Sequence, residues 1–200
     1  MQRLGSAEPT PGGGAAAAVV GALGAALVEM TANLTIGKPR LADVQAQATS
    51  IQQHASELRR TLERLGAADA EAFEHVGAAY KLPRGDDAQK AERAQAIQAS
   101  LRLAADVPLE TARAAAEVVG VAEAAAPILN PAVISDVLVG ALLAQAAVNS
   151  AALNVEINLA SMTDPSTRER YSSELARARA GIDAGVERIL QAGRSRFPRQ

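Results

Sequence analysis

Residues 11–38 read PGGGAAAAVVGALGAALVEMTANLTIGK, and the fold class follows from that run. Three glycines open it, and every position from Ala15 to Val28 is Ala, Gly, Val or Leu. Alanine is the strongest helix former and a poor strand former, so the run is expected to be a helix from about Gly12–Gly14 to Gly37. Gly14, Gly21 and Val28 fall on one face with Ala17, Ala18, Gly24 and Ala25 beside them. Such a smooth stripe admits another helix at short interaxial distance. The run closes on Glu29, Asn33 and Lys38, polar groups that a plain core helix does not need. A helix start preceded by glycines also turns free N–H groups and the positive dipole end toward any nearby anion.

Helical punctuation continues outward from this segment. Pro39 is placed to start a second helix, with Leu41, Val44, Ala48, Ile51, Ala55, Leu58, Leu62 and Leu65 inward and Gly66 at its end. Asp69 can cap a third, on which Ala72, Phe73, Val76 and Ala79 share a face, and Pro83 closes it. A fourth runs from about Ala88 to Ala105, and Val107-Pro108 is expected to break or kink it before Leu109, Ala112, Ala116, Val119 and Ala122 resume the period. Asn130-Pro131 starts the most apolar helix, expected to be central and to reach Asn158. Asp164-Pro165 starts the last, which buries Leu175, Ile182, Val186 and Ile189 and leaves a frayed tail at 192–200. No segment carries a strand signal. The expectation is an all-α, elongated bundle of about six helices forming one domain over residues 1–200. Two strongly apolar helices carry more apolar surface than one small subunit covers, which implies a homodimer.

Composition narrows the function classes. The 200 residues are 48% hydrophobic but only 2% aromatic, with no Trp and a net charge of −2. That leaves no positive field and no stacking surface for nucleic acid. The absence of Cys removes disulfides, thiolate catalysis and Cys-ligated zinc, and fits a cytoplasmic location. No basic-then-apolar leader opens the chain. Ala15–Val28 is short for a membrane span, and Pro131–Val148 carries Asp136 and Gln145, so buried helices rather than membrane segments are expected. His54 and His75 belong to no metal-ligand spacing, and Gly12–Gly14 is neither a Walker loop nor a dinucleotide fingerprint.

The apolar helix after Pro131 carries a polar seam. At 3.6 residues per turn, Leu143, Ala147 and Asn154 lie within about 20° of Asp136. Ser150 precedes Asn154 by one turn and Asn158 follows it. Buried unpaired, such groups cost roughly 1–3 kcal/mol each, so they bond across to other helices or face a ligand. A bend at Gly37 could bring Asn33 and Lys38 to one cleft. Tyr80-Lys81 pairs a rare aromatic with a cation at a helix end.

Seven short motifs in fixed order add a resemblance. PTPGGGAAAA (9–18), ANLTIGK (32–38), the acidic segment at Asp69–Phe73, AAYKLP (78–83), DVPLETA (106–112), NPAVISD (130–136) and SAALNVEINL (150–159) together resemble the cyclodeaminase/cyclohydrolase family, over Pro9 to about Leu159. That family forms the C-terminal part of formiminotransferase-cyclodeaminase and also occurs alone as a bacterial cyclohydrolase. The resemblance implies a dimeric, all-helical enzyme that acts on one-carbon tetrahydrofolates without metal or other cofactor. The expected reaction is hydrolysis of 5,10-methenyltetrahydrofolate to the 10-formyl compound. The alternatives are a formiminotetrahydrofolate cyclodeaminase releasing ammonia, or a non-catalytic helical assembly subunit. Implied roles are Asp136 to steady the cation and orient water and Lys38 to shuttle the proton. Asn33, Asn154 and Asn158 would bond the pterin or the tetrahedral oxygen, and the amides of Gly12, Gly13 and Gly14 with Lys81 would hold glutamate carboxylates. Tyr80, Asn130 and Ser135 complete the implied binding set. Where the family often has Asp-Ala-Gly this chain has Asp136-Val137-Leu138, and Asn149 stands where relatives often carry a basic residue.

Overall fold

A computed structural model describes residues 2–197. The chain forms α1 (Gly13–Asn33), α2 (Gln45–Tyr80), α3 (Asp87–Ala125), α4 (Ile134–Ala160), α5 (Pro165–Arg179) and α6 (Ile182–Arg194). Short 3₁₀ turns at Pro39–Val44 and Pro131–Val133 lead into α2 and α4. No strand occurs among the described residues. The first four helices pack up-down-up-down, and α5 with α6 climbs the outside of α3 and α4.

The small-residue stripe on α1 does what its composition allows. Gly14, Ala17, Ala18, Gly21, Gly24, Ala25 and Val28 are all buried. Where α1 crosses the antiparallel α4, Gly24 faces Gly140 so closely that a Cβ on Gly24 would stand 2.7 Å from the Gly140 carbonyl oxygen. A Cβ on Gly140 would likewise stand 2.8 Å from the Gly24 carbonyl oxygen. The two backbones touch with no side chain between them. A Cβ on Gly21 would stand 3.2 Å from Leu62 of α2, so α1 is held closely on two sides.

Several boundaries differ from the sequence reading, each for a physical reason. Pro39 begins a 3₁₀ turn, and α2 starts only at Gln45. Gly66 does not end α2, which runs unbroken for 36 residues. A Cβ there would make only ordinary contact with Ala15 and Ala18 of α1, at 3.7 Å, and a glycine inside so long and well-packed a helix costs only about 1 kcal/mol. Asp69 therefore sits in mid-helix and caps nothing of its own. Pro108 does not break α3, which runs 39 residues through it. A proline cannot donate to the carbonyl four residues back. Here that carbonyl, Ala104 O, accepts instead from Asn158 Nδ2 of α4 at 2.9 Å. The expected last helix is two, divided at Gly181, whose φ of +74° is a left-handed conformation suited to glycine.

The caps expected at Asn130 and Asp164 form, and Asp86, expected in a loop, adds a third. Asp164 accepts from Ser166 N and Thr167 N, Asp86 from Gln89 N, and Asn130 from Ala132 N. Those bonds hold the Asp164 carboxyl down at about 2, led by the hydroxyls of Thr167 and Ser166. The tail expected to fray is docked as far as it is described. Gly193 lies against Leu138, and Arg196 donates to Ala126 O at 2.8 Å. Residues 198–200 lie outside the described residues. The bulk of Leu138, unusual against the resembled family, fits because Gly193 offers no Cβ to oppose it.

Helix α1 and residues 131–160 are each long and apolar enough to cross a membrane, with 56% and 44% of their most apolar windows buried in the bundle. The remainder forms a continuous outer face. Val19, Leu23, Met30 and Leu34 of α1 are exposed beside Val139, Leu142, Leu153 and Ile157 of α4, with Leu153 66% exposed.

Candidate active site

The N-terminal end of α1 opens onto a cleft of about 340 Å³. Pro9, Thr10 and Gly12–Gly14 form one wall, α2 supplies Asp69, Ala72, Phe73 and Val76, and α3 and α4 supply Ala104, Asn154, Ile157 and Asn158. At its base Asp69 reaches across from α2 and accepts a 2.8 Å hydrogen bond from the Ala15 backbone N–H. The helix start that could bind an external anion is thus answered in part, at Ala15, by the chain's own carboxylate 54 residues on, while the N–H groups of Gly13 and Gly14 still face the cleft. Gly14 is required there, since any Cβ would overlap the Asp69 carboxylate. Burial pushes the Asp69 carboxyl above its ordinary 3.8, and the Ala15 N–H only partly offsets that. A half-buried carboxylate with raised proton affinity and no cationic partner suits a proton acceptor.

Sequence reasoning treated Asp69 as a helix cap and left it out of the site. The signal was present, because Leu58, Leu62, Leu65, Asp69, Ala72 and Val76 step by three or four residues and place a carboxylate in the apolar stripe. Phe73, expected on one face with Ala72, Val76 and Ala79, is 49% exposed at the cleft, whereas Ala72 and Ala79 are buried.

The residues implied by the resemblance divide into three groups. Gly12, Gly13, Gly14, Asn154 and Asn158 meet in the cleft, with a Gly13 Cβ position 3.5 Å from the Asn154 amide. Asn33, Lys38, Asn130, Ser135 and Asp136 lie at the opposite end of α1, roughly 30 Å away at 1.5 Å per residue. Tyr80 and Lys81 end α2, roughly 16 Å along it beyond Asp69. Within one chain, then, Lys38 and Asp136 do not share a cleft with Gly12–Gly14.

Asn130 is 5% exposed and acts as a structural knot. Its backbone N–H donates to Thr35 Oγ1, its Nδ2 to Leu34 O, and its Oδ1 accepts from Arg40 and Ala132. These bonds fasten the end of α1 to the start of α4 and leave little for a ligand. Lys38, Asn33 and Ser135 are exposed, and Asp136 is half-buried in the first turn of α4. Tyr80 holds Arg93 over its ring at 5.5 Å and accepts from it through its backbone carbonyl. Glu29, the odd carboxylate of α1, pairs with Arg59 at 2.7 Å. Burial opposes its ionisation, but the hydrogen bonds prevail and hold it below its usual value. Among the described residues no three His, Cys, Asp or Glu side chains are grouped to hold a metal. A wider hollow of about 460 Å³ between α2 and α3 is lined mainly by Ala and Leu, and no carboxylate enters it.

Comparison with known proteins bears on this geometry. Over 196 residues the chain is 45% identical to a methenyltetrahydrofolate cyclohydrolase of Methylorubrum extorquens, covering 98% of this chain and 94% of that one. It is 33% identical over 183 residues to a formimidoyltransferase-cyclodeaminase of Rattus norvegicus, spanning 90% of this chain but 34% of that longer protein. A formiminotetrahydrofolate cyclodeaminase structure from Thermotoga maritima superposes with a TM-score of 0.86 at 32% identity, covering 97% of this chain and 93% of that one. The profile of the formiminotransferase-cyclodeaminase family matches residues 1–177. An all-helical domain with this cleft and this extent of similarity belongs to the formiminotransferase-cyclodeaminase family.

Proposed function

We propose that the chain is a methenyltetrahydrofolate cyclohydrolase, converting 5,10-methenyltetrahydrofolate and water to 10-formyltetrahydrofolate and a proton. The observation that carries this reading is Asp69, a carboxylate of raised proton affinity at the base of a cleft, in a chain 45% identical to a protein of that name. The methenyl carbon is cationic, so water attacks it as Asp69 Oδ1 takes the water's proton. The resulting carbinolamine then loses its hydroxyl proton, the carbon–N5 bond breaks, and N5 is protonated. A fixed carboxylate beside the cation also steadies it before attack.

Lys38 and Asp136 join this chemistry from a second subunit in the homodimer we propose. The exposed faces carry large apolar side chains at Val19, Leu23 and Met30 of α1 and at Val139, Leu142, Leu153 and Ile157 of α4. A two-fold axis perpendicular to these helices, near the Gly24–Gly140 crossing, sets the Asp69 end of one protomer against the Lys38 end of its partner. Each site then combines Gly12–Gly14, Asp69, Asn154 and Asn158 of one chain with Asn33, Lys38 and Asp136 of the other.

Purified protein incubated with 5,10-methenyltetrahydrofolate should accelerate loss of the methenyl absorbance, and Asp69→Asn should abolish most of that rate. A second reading, formiminotetrahydrofolate cyclodeaminase, draws on the Thermotoga maritima relative. It predicts the opposite optical change with formiminotetrahydrofolate, since methenyl absorbance appears as ammonia is released. Absence of both changes would overturn the folate reading.

A further inference from the structure

The side chains of Asp69, Asn154 and Asn158 turn hydrogen-bond acceptors into the cleft. Asn158 Nδ2 lies 2.9 Å from Ala104 O and 2.8 Å from Asn154 O, and Asn154 Nδ2 lies 2.9 Å from Ser150 O. Backbone carbonyls only accept, which fixes these amide atoms as nitrogens and turns both amide oxygens the other way. Asp69 Oδ2 is engaged by Ala15 N. That leaves three acceptors, Asp69 Oδ1 and the two Asn Oδ1 atoms, without a donor among the described residues. None of the three is sealed from solvent. The walls above them are apolar. Phe73 stands one turn beyond Asp69 on α2, 49% exposed, and Ile157 of α4 across the cleft is 67% exposed. In a chain with two Phe, two Tyr and no Trp, one of the few rings stands half in water over a floor of acceptors.

We propose that Phe73 is the platform on which the planar pteridine–imidazolinium end of the substrate lies, its N–H edge turned to the oxygens of Asn154 and Asn158 and its glutamate tail directed out of the cleft. The inference rests on the folate reading above and adds the orientation and the residue that selects it. A flat cation gains from an aromatic face, and N–H donors gain from unpaired acceptors. An anionic tail in the same place would lie against a carboxylate and two amide oxygens, a repulsion that the N–H groups of Gly13 and Gly14 on one wall offset only in part. Size agrees with this. About 340 Å³ is at the small end of ligand pockets, which run from about 300 to 1,000 Å³, so a bicyclic ring fits and a whole folate does not. This orientation replaces the expectation that Gly12–Gly14 hold the glutamate carboxylates.

The test uses kinetics and a built-in reporter. Phe73→Ala and Phe73→Leu should each raise KM for methenyltetrahydrofolate roughly tenfold while kcat changes by less than about threefold, and Phe73→Tyr should stay near wild type, given the usual strength of ring stacking. Because the chain has no Trp, the indole of Phe73→Trp is the only one present and can be excited at wavelengths where Tyr80 and Tyr171 do not absorb. Its emission should be quenched saturably by 5-formyltetrahydrofolate and by 6-methyltetrahydropterin, but not by p-aminobenzoylglutamate. Quenching by p-aminobenzoylglutamate alone would reverse the orientation and overturn the proposal. So would an unchanged KM in Phe73→Ala beside an active wild type, or a loss traced by sedimentation to dissociation of the subunits. If the wild type turns over no folate and no probe quenches, the underlying folate reading has failed, a result distinct from those three.

Discussion

In the proposed reaction Asp69 carries the proton transfer, and its environment predicts how it responds to pH. Its proton affinity in the fold exceeds that of a free carboxyl, because burial disfavours the charge. The contribution of such a group to stability is present in full below 3.8 and is lost as pH rises through its raised value. Asp69→Asn keeps an acceptor for Ala15 N–H and removes that loss. Thermal melts from pH 4 to 8 should therefore find the variant at least as stable as wild type, with the difference growing as pH rises. Activity should move the other way. Removing a general base costs about 10²–10⁴ in rate, and the wild-type kcat/KM should fall on acidification at a pH above 3.8. A variant that loses both stability and activity together would mark Asp69 as structural. Gly14→Ala provides the contrast, since its Cβ displaces the carboxylate and should lower both. The seam that puts Asn154 and Asn158 on one face of α4 was legible from spacing, while their grouping with Gly14 in one site came from the family resemblance. Asp69 was legible only as a carboxylate in an apolar stripe; its contact with Ala15 was not, because that partner is the start of another helix and a local reading sees a plausible cap instead.

At the scale of elements, two kinds of glycine give opposite predictions. Gly24 and Gly120 both lie inside helices, where alanine is intrinsically better by about 1 kcal/mol. A Cβ at Gly120 meets nothing within 4 Å, so Gly120→Ala should stabilise by roughly that amount. A Cβ at Gly24 meets the Gly140 carbonyl at 2.7 Å, and backbone cannot swing aside. Gly24→Ala should therefore destabilise by about 1–3 kcal/mol despite its propensity. Urea unfolding of the two variants reads both signs, and equal stabilisation would mean that α1 and α4 do not cross at these glycines. The helical class, the α1 stripe and the starts at Asp164 and Asn130 could all be read from the chain, because caps and periodicity are local. The continuity of α3 through Pro108 could not. It depends on Asn158, 50 residues away in sequence, supplying the donor that proline lacks. The docking of α5 was equally non-local. Burial, aided by the hydrogen bond to Asp106, raises the Tyr171 hydroxyl to about 12 and fastens α5 against α3.

For the whole molecule, the question is how Lys38 and Asp136 relate to a cleft at the far end of the helix they follow and face. Residues separated by the length of α1 cannot act on one carbon atom within one chain. A two-fold partner resolves this only if its axis lies across the helices, since an axis along them would set like ends together. The arrangement makes a quantitative prediction. Lys38→Met and Asp69→Asn should each be nearly inactive alone. Unfolded together in equal amounts and refolded, they should form mixed dimers as about half of all dimers. In a mixed dimer one site carries both substitutions and the other carries neither, so about a quarter of all sites are intact and about a quarter of wild-type activity should return. If each site drew Lys38 and Asp69 from the same chain, every site in every dimer would carry a substitution and no activity would return. Leu23→Glu with Leu142→Glu, placed on the exposed apolar face, should give monomers by sedimentation, with wild-type helicity and no turnover. Folded, active monomers would overturn the shared site, whereas an apolar face used to lie on a membrane would bind lipid vesicles in the wild type and lose them in this double variant.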